Sequence, residues 1–198
     1  MLSLRTAGFL AAAGLFAMTA EQAAARGADP LEFTFDGTAR IGGDTRPVRL
    51  RLFCSSNDGP HVTGALSVVL EVPGYEQLHD VFDFDPFEGP DANAGALTLL
   101  RTSGVRSKAG ARFPASGFVV PSGSSEAFAL EVTASRREAG PLRKLAAVLR
   151  PLLDGPGHLE WRQDNTWASG VPLVAGVDLT KAQGDQVKAG LGPCLDAR

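Results

Sequence analysis

Apolar and polar side chains alternate from Leu31 onward, with Phe33 and Phe35 set against Glu32, Thr34 and Asp36. A period of two predicts a strand with one buried face. Gly42-Gly43-Asp44 reads as a turn. Alternation then resumes, with Val48, Leu50, Leu52 and Cys54 on one face and Arg49, Arg51 and Phe53 on the other. Asn57-Asp58-Gly59-Pro60 marks a second turn. Residues 62–72 (VTGALSVVLEV) predict a long strand with Leu66, Val68, Leu70 and Val72 inward, able to pair with 48–54 as a hairpin. Residues 73–95 show no period and are rich in Gly, Pro and Asp. Residues 96–102 and 117–120 predict shorter strands around a Gly/Ser/basic loop, and 127–134 alternate with Phe128, Leu130 and Val132 on one face.

The period then lengthens. In 141–150 (PLRKLAAVLR), Leu142, Leu145, Ala146 and Leu149 recur at helical spacing, behind a Pro141 suited to a first helical turn. Arg143, Lys144 and Arg150 fall largely off that stripe, and Pro151 should end or kink the helix. Leu159, Trp161 and Gln163 against Glu160 and Arg162 predict another strand, and 171–179 the last. Thr180 and Gln183 match a capping box that opens a short C-terminal helix, which Gly184 weakens. The tail Gly192-Pro193-Cys194 follows. The pattern is that of a mainly β chain: an antiparallel β-sandwich or open barrel with one amphipathic helix and a short C-terminal helix.

The first 25 residues stand apart. Arg5, an apolar run from Ala7 to Met18, and the small residues Ala23-Ala24-Ala25 follow the three-part plan of a secretory signal peptide. The run is too short for a bilayer span of about 20 helical residues. Cleavage after Ala25 leaves a single β-rich domain at 26–198 with no transmembrane segment expected, in the periplasm or secreted. The 15 arginines against 4 lysines are the usage of a GC-rich bacterial genome. A net charge of −3 excludes nucleic-acid binding through bulk positive charge. Cys54 and Cys194 are the only cysteines, and in an oxidising compartment an even count reads as one disulfide.

The most unusual chemistry lies in 75–91 (YEQLHDVFDFDPFEGPD). It carries Glu76, Asp80, Asp83, Asp85, Glu88 and Asp91, no Lys or Arg, and the rings Tyr75, Phe82, Phe84 and Phe87. Asp83, Asp85, Glu88 and Asp91 offer oxygens for calcium, although Phe87 stands where an EF-hand places its third ligand. Alternatively, Tyr75, Asp80, Asp83, Asp85, Phe87, Glu88 and Asp91 form a surface for a basic protein or envelope component, with charge for steering and rings for anchorage. On that reading the protein is non-catalytic, in the manner of an inhibitor, immunity protein or envelope adaptor. The plainest reading pairs the acids with the chain's own Arg46, Arg49, Arg51, Arg101–Arg112 and Arg136–Arg150 and packs the rings onto the core. Pairs of that kind contribute about 0–1 kcal/mol each.

Catalysis has thinner support. The sequence contains no G-x-S-x-G, H-E-x-x-H or C-x-x-C motif. A carboxylate-based or metal-dependent hydrolase using acids of the same segment is the alternative function. His79-Asp80 are neighbours, but adjacent strand residues point oppositely. Ser122, Ser124 and Ser125 lie in a Gly/Ser turn, and Trp167, in the polar turn DNTWASG, is the better candidate for an exposed tryptophan.

Overall fold

The computed structural model describes residues 31–55, 66–88, 97–123, 125–135, 137–167 and 170–195. The expected signal peptide, the turn at Asn57–Pro60 and Asp91 lie outside these residues. Nine strands are described: β1 (Leu31–Ile41), β2 (Asp44–Cys54), β3 (Leu66–Pro73), β4 (Leu97–Ser103), β5 (Lys108–Pro114), β6 (Ser116–Ser122), β7 (Ser125–Ala134), β8 (Gly157–Gln163) and β9 (Leu173–Leu179). Two α-helices accompany them, α1 (Ala139–Leu149) and α2 (Lys181–Leu195). All pairings are antiparallel, in one sheet of order β5-β4-β8-β9-β1-β2-β3-β7-β6.

The sheet curls into a half-barrel. Helix α1 packs against β4 and β5 at one margin and β3 and β7 near the other. Among the described residues no second sheet lies opposite, so the open barrel, and not the sandwich, is the architecture adopted. The two margins are consecutive in the chain: β5 ends at Pro114, β6 begins at Ser116, and the buried Ala115 joins them.

The alternation maps onto this curvature. Val48, Leu50, Leu52 and Cys54 of β2 share the concave face with Leu66, Val68, Leu70 and Val72 of β3, through pairings such as Leu50↔Leu70. Phe128, Leu130 and Val132 of β7 and Leu159 and Trp161 of β8 extend the same core. The turn between β1 and β2 uses Gly42 at φ 64°, a left-handed conformation that glycine adopts without a Cβ penalty. Strand β5 falls where a loop was expected. Its inward positions include the small Ala109 and Ala111, and its outward ones Lys108, Gly110 and Arg112, so its period carries little hydrophobic contrast.

Both helices plug the concave side. In α1, Leu142, Leu145, Ala146, Val148 and Leu149 are buried, and past it the chain tightens into a 3-10 segment at Arg150–Leu153 containing Pro151. The Thr180–Gln183 capping box forms: the Thr180 N–H donates to Gln183 Oε1 at 2.8 Å and the Gln183 N–H to Thr180 Oγ1 at 3.3 Å. Helix α2 then continues through Gly192 and Pro193, where a tail was expected, and delivers Cys194 to Cys54. That disulfide, with Cα atoms 6.0 Å apart, fastens the helix to the end of β2. None of the described helices is long and apolar enough to cross a membrane.

Candidate functional site

Segment 75–88 closes one end of the half-barrel. It leaves β3 at Gly74, whose N–H donates to the Glu126 carbonyl at 3.0 Å, and forms two 3-10 turns, Tyr75–Leu78 and Asp85–Phe87. Its rings point inward. Phe82, Phe84 and Phe87 are fully buried, Tyr75 nearly so. Phe84 lies 4.8 Å from the Phe128 ring, Tyr75 5.4 Å, and Phe82 4.9 Å from Phe84. Gly117 of β6 lets this cluster close up, since a Cβ there would fall 2.3 Å from the Phe128 ring. Tyr75 and Phe87 are therefore packed in the core.

With the rings turned in, the acids turn out. Glu76, Asp80, Asp85 and Glu88 are exposed, and Asp83 is half-buried. Burial, with Glu126, Glu76 and Glu88 nearby, raises the Tyr75 phenol above its ordinary value. None of the five acids forms an ion pair among the described residues, and six of the arginines are engaged with other acids. Arg46 binds Asp44 and donates to the Pro73 and Gly74 carbonyls at 3.2 and 2.9 Å. Arg51 Nε lies 2.9 Å from Glu71 Oε1, a close ion pair too far from linear to count as a hydrogen bond, and Arg49 takes the other Glu71 oxygen. Arg101 pairs with Glu160; Arg112 and Arg162 pair with Asp164. Of the bases expected to neutralise the segment, Arg46, Arg49, Arg51, Arg101 and Arg112 pair instead with acids elsewhere on the sheet and its margins.

The metal candidates Asp83, Asp85 and Glu88 do not converge: among the described residues, no three His, Cys, Asp or Glu side chains gather as a ligand set. Asp91 falls outside the described residues. His79 packs its ring against Tyr75 at 5.5 Å and Phe84 at 5.8 Å, and no hydrogen bond joins it to Asp80.

A second loop completes the surface. Asn165, after β8, donates from Nδ2 to the Val81 carbonyl at 2.9 Å and the Val171 carbonyl at 3.3 Å, while its Oδ1 accepts the Trp167 N–H at 3.2 Å. Thr166 donates its hydroxyl to Asp83 Oδ2 at 2.5 Å. Val81, Trp167 and Val171 are 39%, 41% and 37% exposed, so three large apolar side chains lie on the loops that Asn165 ties together, in the same stretch of surface as the unpaired acids. Trp167 was visible in its polar turn. Val81, Asn165 and Val171 were not, because the contact between residues 81 and 165 has no local signature. No protein-family model, no curated protein and no solved structure matches this chain.

Proposed function

We propose that this is an exported, non-catalytic binding protein, periplasmic or secreted, whose acidic end recognises a basic protein or envelope component. The observation that carries the reading is the coincidence of unpaired carboxylates with an exposed tryptophan on one surface. Glu76, Asp80, Asp85 and Glu88 supply a field that steers a cationic partner, and Trp167, with Val81 and Val171, supplies apolar contact area. The disulfide suits an oxidising compartment.

Residues 26–198 would be immobilised and exposed to a bacterial envelope extract, beside the variants Asp80→Asn/Asp85→Asn/Glu88→Gln and Trp167→Ala. The expected result is a captured protein that the charge variant loses, that Trp167→Ala weakens, and whose association slows as salt rises. A capture profile identical for all three baits, or insensitive to salt, refutes the reading.

A further inference from the structure

The convex face of β5, β4, β8 and β9 holds a separate groove of about 430 Å3, lined by Arg101, Ser103, Lys108, Gly110, His158 and Glu160 among others. Strand register builds it. Lys108, Ser103, His158 and Asp178 stand side by side in one cross-strand row, and Gly110, Arg101, Glu160 and Gly176 in the next. Antiparallel neighbours on one face meet in this way at about 4.5–5.5 Å.

The two glycines make the space. A Cβ on Gly110 would lie 3.1 Å from Arg101 Cγ, so the Arg101 stem leans toward β5. A Cβ on Gly176 would lie 3.0 Å from His158 Cε1, so the imidazole leans the other way, over β9. The row Ser103–His158–Asp178 has the composition of a hydrolytic triad without its geometry. His158 Nδ1 is 2.7 Å from Asp178 Oδ1, but the ring's free edge overlies Gly176, away from Ser103, and no hydrogen bond links Ser103 to His158.

What the groove offers is donors. Glu160 is held by Arg101 at 3.2 Å, and Asp178 by His158 at the far end of the row from Lys108. The Lys108 ammonium and the Ser103 hydroxyl have no partner among the described residues, and Arg101 uses one terminal nitrogen of its fork, while His158, whose Nδ1–H donates to Asp178, leaves Nε2 as an acceptor at the groove's side. A guanidinium, an ammonium and a hydroxyl beside a bare glycine backbone suit an oxygen anion on a small molecule. We infer that this groove binds a small organic anion, a carboxylate or phosphate group, seated between Lys108, Arg101 and Ser103 with its remainder reaching toward His158.

Amide chemical-shift titration of residues 26–198 with succinate, and separately with inorganic phosphate, tests this. Saturable shifts at Ser103, Lys108 and His158, with a Kd of about 1 mM or tighter for either probe, are expected. Saturation by succinate alone assigns a carboxylate, and by phosphate alone a phosphate. Lys108→Gln on the exposed edge strand should weaken binding about tenfold, Gly110→Val should abolish it by filling the floor, and Lys188→Gln, the same charge change on the exposed face of α2, should leave it unchanged. No saturation with either probe, or wild-type affinity in both the Lys108→Gln and Gly110→Val variants, overturns the inference.

Discussion

Asn165 donates its side-chain amide to the backbone oxygen of Val81, 84 positions earlier in the chain, at 2.9 Å. The bond is one of three by which this single amide ties together Val81, Trp167 and Val171. Asn165→Ala should cost about 1–2 kcal/mol, because it leaves neighbouring backbone groups to water. It should also loosen Trp167. Trp161 is fully buried, so acrylamide quenching of tryptophan fluorescence reports mainly on Trp167. Quenching should rise in the variant while the urea midpoint falls modestly. Unchanged quenching would show that Asn165 does not hold the loop.

Gly184 sets two effects against each other. Glycine inside a helix costs about 1 kcal/mol relative to alanine, so propensity alone favours Gly184→Ala. A Cβ there, however, would lie 2.7 Å from the Gly155 carbonyl oxygen and 2.8 Å from that of Leu152. Both obstacles are backbone, which cannot rotate aside as a side chain can, and overpacking of this kind costs about 1–3 kcal/mol. The steric term should win, and the variant should melt below the wild type. A higher melting temperature would mean that the 3-10 segment beneath α2 yields easily.

Gly184 also marks what the sequence could and could not disclose. Local periodicity sufficed for β1, β2, β3, β7, β8 and α1, because each sets a buried row against a polar one. It sufficed for the capping box, which is complete within Thr180–Gln183. It failed for β5, whose inward Ala109 and Ala111 hardly differ in hydropathy from a loop, and for the end of α2, where Gly192 and Pro193 suggest a stop that packing overrides. At the candidate site, composition showed acids and rings together but not their division. Which residues face inward depends on Phe128 and Gly117, both far along the chain. Charge pairing was equally hidden: Arg49 and Arg51 meet Glu71 only through the β2–β3 register.

The Cys54–Cys194 bond closes a loop across a sequence separation of 140. Chain entropy then predicts about 4–5 kcal/mol of stabilisation, an upper figure because denatured chains retain structure. Cys54→Ser/Cys194→Ser should therefore unfold at distinctly lower urea, and α2 should be the first element to lose amide protection, because its last turn carries the crosslink. Both cysteines are buried, so dithiothreitol should reduce the native protein slowly and the urea-unfolded protein fast. Rapid reduction without denaturant would show that α2 detaches readily.

Tyr75 is the only tyrosine in the chain, so absorbance near 295 nm follows one phenol. Burial first, and then the negative Glu126, Glu76 and Glu88, disfavour its anion and raise its pKa from the ordinary 10.0. In the unfolded chain the phenol titrates near that ordinary value, so above it the unfolded state has lost a proton that the folded state still holds. Stability from this group is thus complete below about pH 10 and declines as pH climbs toward the folded-state value. Two measurements follow. The native absorbance titration should lie at higher pH than the same titration in 8 M urea (about the concentration that unfolds small domains). The urea midpoint should fall more steeply above pH 10 in the wild type than in Tyr75→Phe, which keeps the ring contacts with Phe84 and Phe128 and removes the ionisable group. Coincident native and unfolded titrations would place the Tyr75 hydroxyl in water, away from the acids of its own segment.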